Sequence, residues 1–383
     1  MKEKYHIVAK TITRWKLDNW LENQLGYLAD KNEFWKKIYV LYYRIFDNKY
    51  YQCGLKFIEK EIEKQLPNLE KGSNHILTRK YLRRDMIYSL HRFGTSFEEY
   101  FIFKFYDKNY IGRSRFNNLK LQYGFCEIVN HESVRELFED KGACYKVLKE
   151  YYKRDVVVVY GKDEFKFLED FINKHKSFIY KPLKGHSGIG IKIYHDWCAD
   201  ATTFYNDVLK QGAFVVEELI EQAPTMAALH KESINTIRLA TFKIGTEIVI
   251  LGAAIRMGTG NSSVDNAGSG GIYASVDMKY GIVNSIARDN KNNQYTIHPD
   301  TNCKIVGFEI PEWQEAISLV KVMAKTVEGA TMIAWDLAYS SKGWLVIEGN
   351  DVGEAYLLQA QYQVGLKHQI TSLIDKFLIE NNK

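Results

Sequence analysis

Apolar positions follow two different periods along this chain, and the change from one to the other divides it. Up to about residue 125, apolar side chains recur every three or four positions. Phe34, Ile38, Leu41 and Ile45 form one such run. Ile58, Ile62 and Leu66 form another before Pro67, and Leu82, Met86, Ile87 and Leu90 a third before Gly94. This spacing predicts helices over 12–66 and 80–92. Thr95-Ser96-Phe97-Glu98 reads as a capping box that opens a further helix to about 106. Residues 130–152 also read as helical. From 153 a period of two takes over in short runs. The expected order is strand 155–160, helix 162–174, strand 178–182, a glycine-rich loop, strand 189–194, helix 202–211 and strand 214–220. Residues 230–350 read mainly as antiparallel strands around a helix near 312–326, with a last helix over 362–380. The pattern implies an α+β chain. An aromatic-rich helical region at 1–125 precedes a mixed domain at 126–383, itself built from a smaller unit at 153–220 and a larger one at 230–375.

Composition narrows the function classes. At 383 residues the chain can bury a large core and hold two or three domains. Its formal charge of +5, with 26% charged residues, suits anionic small molecules and is poor support for a nucleic-acid partner. The five cysteines (Cys53, Cys126, Cys144, Cys198 and Cys303) are scattered and contain no C-x-x-C pair. A structural zinc site is not expected, and a reducing, cytoplasmic setting is. The first residues lack the apolar core of a signal peptide, and no apolar stretch is long enough to span a bilayer. Lys80, Arg83 and Arg84 among tyrosines allow a peripheral seat on an anionic membrane. Arg92, Arg113 and Arg115 allow a grip on an anionic substrate. A helical bundle with solvated charges and an aromatic core explains both groups equally well.

The chemistry-bearing residues lie further along. Residues 332–350 read as a hairpin turning at Ser340-Ser341-Lys342-Gly343. That turn brings Asp336 and Glu348 close to directly opposite each other, with Asn350 on the same face as Glu348. Three oxygen donors at one end of an apolar hairpin are what magnesium takes. Upstream, Gly185, Gly188 and Gly190 lie between two strands, with Lys181 on the incoming one. The spacing fits neither a dinucleotide fingerprint nor a Walker A loop. A flap remains whose backbone N–H groups, with His186 and Ser187, suit phosphate. The apolar strand ending in Glu217-Glu218-Leu219 suits the connector between two lobes, where backbone groups meet a base. Arg238 and Arg256 fall on neighbouring strands and can fork a phosphate or carboxylate.

Taken in order, Asp140-Lys141, Lys181-Pro182 with its flap, Val216–Ile220, Asn235-Thr236-Ile237-Arg238, Arg256, and Asp336 with Glu348 and Asn350 resemble the ATP-grasp superfamily. The Asn-Thr-Ile-Arg segment and Val264-Asp265-Asn266 with Gly270-Gly271 point to its sugar-transfer-associated branch. The resemblance covers about 130–375 and implies two α+β subdomains that clamp ATP and Mg2+. It implies phosphate contacts from Lys141 and Lys181 and from the flap at Gly185, His186, Ser187 and Gly188. Lys146 is an alternative to Lys141. An adenine connector would run over Glu217, Glu218 and Leu219, and Glu221 is the nearby acid for the ribose. Arg238 would meet the γ-phosphate, Arg256 and Asn266 would face the acceptor, and Asp336, Glu348 and Asn350 would hold magnesium. The implied activity is an ATP-dependent carboxylate–amine ligase working through an acyl phosphate. Its small-molecule substrates would be a carboxylate and an amine, sugar-linked in cell-surface polysaccharide synthesis. A sugar kinase with Asp265 as base and a non-catalytic nucleotide-binding scaffold are the alternatives.

Overall fold

The computed structural model describes residues 20–69, 77–185, 189–352 and 356–381. The expected helical start at 12–19 and the flap residues His186, Ser187 and Gly188 lie outside that range.

Among the described residues the strands form two sheets. The smaller has the order β1-β4-β2-β3, from β1 (Val156–Val159), β2 (Phe178–Pro182), β3 (Lys192–Tyr194) and β4 (Phe214–Glu218), all antiparallel. The helices Phe165–Lys174 and Ala201–Leu209 cover one face, where Phe178, Phe204 and Phe214 are wholly buried. The larger sheet has the order β11-β10-β5-β6-β7-β8-β9. Its strands are β5 (Thr236–Ile244), β6 (Glu247–Met257), β7 (Ile272–Val276), β8 (Ala287–Arg288), β9 (Gln294–Tyr295), β10 (Met332–Ser340) and β11 (Gly343–Asn350).

Alternation along these strands sorts chemistry from core. On β10, Ile333, Trp335 and Leu337 join Ile237, Leu239 and Ile255 in one apolar layer, packed against the helix Trp313–Thr326. The alternate positions, Ala334, Asp336 and Ala338, lie on the opposite face. A break in register between Asp336 and Leu337 interrupts the pairing with β11 at that point. Such a bulge increases local twist and re-aims side chains.

The N-terminal region is helical, as its periodicity predicts, and it covers part of the chemical face. Phe97, Tyr100, Phe101, Phe103 and Phe105 share a buried cluster with Ala254 of β6 and Tyr273 of β7. One expected stripe faces the wrong way. In the helix Glu33–Phe46, Phe34, Leu41 and Ile45 are exposed, and Lys36, Tyr39, Val40 and Tyr43 are buried instead. The reason is a polar network inside the bundle. Asp85, with no exposed surface, accepts from Lys36 (2.9 Å), Arg113 (3.0 and 2.7 Å) and Tyr100 (2.6 Å). Burying Lys36 turns the apolar stripe outward.

The same network corrects the expectation that Arg113 grips substrate, and Arg92 is likewise held by Asp30 (2.7 Å). Arg83 and Arg84 pair with Glu59 and Glu33, which removes much of the cationic surface that a membrane seat requires. No helix among the described residues is long and apolar enough to cross a membrane. Gly94 ends its helix in the left-handed conformation (φ 70°), as expected. The capping box forms one residue later than expected, between Ser96 and Glu99.

Candidate active site

The hairpin brings its acids together through the bulge, since the register set at Ser340–Gly343 would otherwise put Asp336 opposite Ile347. Asp336 on β10 pairs directly with Glu348 on β11, and on its other side with Arg238 of β5, which in turn pairs with Ala254 of β6. Paired residues of an antiparallel sheet project to one face, so Arg238, Asp336 and Glu348 form a row. Arg256 lies in the neighbouring row, opposite Thr236.

Arg238 forks Asp336 through Nε–Oδ1 and Nη2–Oδ2, both at 2.7 Å, and Arg256 Nη1 adds a third contact to Oδ2 at 2.7 Å. Burial alone would raise the Asp336 pKa, but the two guanidinium groups bring it down to about 2. Glu348 lacks such cover. No hydrogen bond or ion pair reaches its carboxylate among the described residues, and it is exposed to water. Yet it lies in a cleft close enough to Asp336 for crowding and like charge to raise its pKa. Asn350 Nδ2 is buried without a partner. Gly349 between them is necessary, because a Cβ there would overlap the Phe138 ring.

This donor set fits a hard divalent cation. Glu348 is uncompensated, and Asn350 Oδ1 is an oxygen donor beside it. Asp336 already accepts three N–H groups and keeps about one lone-pair site for a metal.

Asp265 holds Arg256 in place. Its Oδ1 accepts from Arg256 Nη2 at 2.7 Å, and its Oδ2 accepts from the Thr236 amide (3.2 Å) and hydroxyl. Asn266 Oδ1 also accepts from Arg256 Nη2. Gly270 (φ 100°) and Gly271 make this loop possible, since a Cβ on Gly271 would strike the Asp265 carbonyl. The stretch before it is pinned by His230 to Gly260 O and His298 to Gly258 O, both at 2.9 Å.

On the smaller sheet, Glu217 is 3% exposed and bridges two cations. Arg154 donates to Oε2 (2.9 and 2.7 Å), and Lys181 to Oε1 (2.7 Å). Burial opposes ionisation of Glu217, but Arg154 and then Lys181 overcome it and set its pKa at about 2. Arg154 also donates to Val346 O of β11 (2.7 Å) and so ties the two sheets together. Lys181, expected as a phosphate ligand, gives one of its three ammonium donors to Glu217. Arg154 carries no motif and was not foreseen.

Lys141 follows Asp140, which caps its helix by accepting from Gly142 and Ala143 N (both 2.9 Å) and breaks the helix expected over 130–152. The Lys141 ammonium donates to Gly185 O of the flap at 2.9 Å. Burial lowers its pKa, with Glu348 opposing and Lys181 reinforcing, so it shares their cleft. Lys146, the alternative, is exposed. Glu218 accepts from Asp155 N (3.0 Å) and Lys342 (3.0 Å), Leu219 is half-buried just past β4, and exposed Glu221 accepts from Ser341 Oγ (3.2 Å). Asn235 is structural, donating to Met226 O and His230 O.

The smaller sheet thus carries Lys181 and the larger a carboxylate–arginine row, and Arg154 ties the two. Residues 192–375 match the family model described as sugar-transfer associated ATP-grasp. The match begins at Lys192, so Lys141 and Lys181 lie outside it.

No curated protein matches this chain. Among solved structures, it is similar to N5-carboxyaminoimidazole synthetase from Staphylococcus aureus complexed with ADP, at 11% identity and TM-score 0.37 over 58% of this chain and 47% of that one. It is similar to D-alanine–D-alanine ligase from Helicobacter pylori at 14% and 0.37, over 63% and 61%. It is also similar to the biotin carboxylase domain of Hydrogenobacter thermophilus 2-oxoglutarate carboxylase with MgADP, ADP and bicarbonate, at 18% and 0.36, over 58% and 42%. The matched region thus spans about half the length of such structures.

Proposed function

We propose that this chain is an ATP-dependent carboxylate–amine ligase that uses Mg2+ and acts on a sugar-linked carboxylate or amine, such as a uronic acid or amino sugar, in cell-surface polysaccharide synthesis. The observation that carries this reading is the row Arg238–Asp336–Glu348, with Arg256 held against Asp336 by Asp265.

The acceptor carboxylate oxygen bonds to the γ-phosphorus as the bond to the ADP oxygen breaks. An amine nitrogen then attacks the acyl carbon, loses a proton, and phosphate departs to leave an amide. The first transfer spreads negative charge over three phosphoryl oxygens, and Arg238 and Arg256 are the forked cations in position to meet it. Their pairing with Asp336 fixes them beforehand, so little reorganisation is needed during reaction. Lys141 draws the flap backbone towards the cleft, which keeps water from an acyl phosphate. Lys181, oriented by Glu217, adds positive charge on the smaller sheet. Glu348 and Asn350, with Asp336, would hold Mg2+, which supplies charge neutralisation on the phosphoryl oxygens when bound.

The kinase alternative needs a free base near a hydroxyl. Both oxygens of Asp265, its one nominated acid, already accept hydrogen bonds from Arg256 and Thr236, which favours the ligase. The test is incubation with ATP, Mg2+, uronic acids, nucleotide uronic acids and mixed amino acids, read by mass spectrometry beside Asp336→Ala. A condensation product with ADP and phosphate, absent from the variant, is expected. A phosphoryl gain on a sugar hydroxyl would replace the ligase by the kinase.

A further inference from the structure

The chemical face of the larger sheet continues beyond Arg256 into a second cationic group that the ligase mechanism does not use. Tyr273 of β7 pairs with Arg256, and Arg288 of β8 pairs with Tyr273. Direct pairing puts all three side chains on one face. With strands about 4.8 Å apart, Arg288 stands about 10 Å from Arg256 along the row.

Arg288 is 8% exposed, and its Nε and Nη1 are buried without a hydrogen-bond partner. The Tyr273 hydroxyl, fully buried, is also unpartnered. A buried guanidinium normally faces a carboxylate. The acid beside it in sequence, Asp289, is engaged elsewhere, accepting from Lys291 N, Asn293 N, Asn293 Nδ2 and Tyr295 OH.

The helical region brings a second cation rather than an anion. Lys104 adopts a left-handed backbone (φ 49°), a conformation that costs a lysine energy and that here places it within electrostatic reach of Arg288. Burial and then the Arg288 charge push the Lys104 pKa down, against a weaker pull from exposed Asp107. The β8–β9 turn is fastened to the same helices. Asn292 Nδ2 donates to Phe101 O (2.7 Å) and Gln65 Nε2 to Asn290 O (2.9 Å). Arg288 and the Tyr273 phenol are thus held together by the fold, with no carboxylate bonded to either among the described residues.

We propose that Arg288 and Tyr273 form a second oxyanion subsite, which takes a carboxylate or phosphate group of the substrate whose other end reacts at Arg256. The substrate is then a molecule with two anionic groups up to about 10 Å apart. This rests on reading the Arg238–Asp336–Glu348 row as the reacting centre. The subsite also gives the helical region a function: packed on Tyr273, it roofs the distal half of the substrate.

The test is thermal unfolding of the full chain and of Arg288→Met and Arg288→Lys. Each is scanned alone, with Mg·ADP, and with inorganic phosphate, glucuronate or glucuronate 1-phosphate. In wild type, the expected result is a concentration-dependent rise in Tm with glucuronate 1-phosphate. Comparing glucuronate with phosphate shows which group Arg288 holds. Arg288→Met should weaken this response by about tenfold or more, and Arg288→Lys should keep part of it. The ligand-free Tm of Arg288→Met should equal or exceed that of wild type, because an uncompensated buried charge is removed. A lower Tm with an unchanged anion response would make Arg288 structural and overturn the subsite. A wild-type response to Mg·ADP but to none of the anions would overturn it too. An Arg288-dependent anion response without any response to Mg·ADP would support the subsite and remove the ligase reading instead.

Discussion

Replacing Glu217 by Gln tests whether the floor of the cleft works as one electrostatic unit. The carboxylate bridges Arg154 and Lys181 and is 3% exposed, so water screens the bridge little. A fall in pKa from 4.5 to about 2 corresponds to about 3 kcal/mol of stability at neutral pH. Removing one member of a buried ion pair costs about 3–5 kcal/mol in general. Arg154 keeps two carbonyl partners, Tyr152 O and Val346 O, which places the expected loss at the lower end, about 3 kcal/mol. Urea unfolding followed by tryptophan fluorescence at pH 7 measures it. The pH dependence has a definite sign. A carboxylate whose pKa is lowered by folding contributes its full stability above its unfolded value. That contribution is lost as pH falls towards about 2, so wild type and variant converge in acid. Adding Lys181→Met removes the stranded ammonium and should recover most of the stability, while Mg·ADP affinity, read by calorimetry, stays low. A Glu217→Gln variant within about 1 kcal/mol of wild type at pH 7 would refute the reasoning, as would a gap that does not close in acid.

Other consequences are as specific. Lys141→Ala should weaken Mg·ADP binding by about tenfold in calorimetry, and Lys146→Ala should leave it unchanged. Because burial lowers the Lys141 pKa, that affinity should fall on the alkaline side at a lower pH than an exposed lysine would give. Asp85→Ala strands Lys36 and Arg113 in the helical bundle and should cost about 3–5 kcal/mol in urea unfolding. Gly349→Ala forces the Phe138 ring aside and should cost about 1–3 kcal/mol. It should also reduce Mg2+-dependent nucleotide binding, because Glu348 and Asn350 flank it.

The sequence by itself determined what short-range physics controls. The turn at 340–343 and the alternation on either side bring Asp336 and Glu348 within one position of each other, since pairing register in a hairpin follows from the turn, and the bulge between Asp336 and Leu337 then makes the pairing direct. Period and capping residues were enough to place β2, the helix Trp313–Thr326 and the left-handed stop at Gly94. Tertiary structure decided which groups meet across long separations. Glu217 and Arg154 are 63 residues apart, and Asp336 and Arg238 are 98 apart. No local pattern announces either pair. The same holds for the buried face of the helix Glu33–Phe46, where Asp85 draws Lys36 inward against the apolar stripe. It holds also for Arg154, which reaches Val346 O of β11 from 192 residues away. Periodicity records how each element divides polar from apolar positions. The partner of a buried charge is chosen only when the elements pack, because only then is it removed from water and obliged to find one.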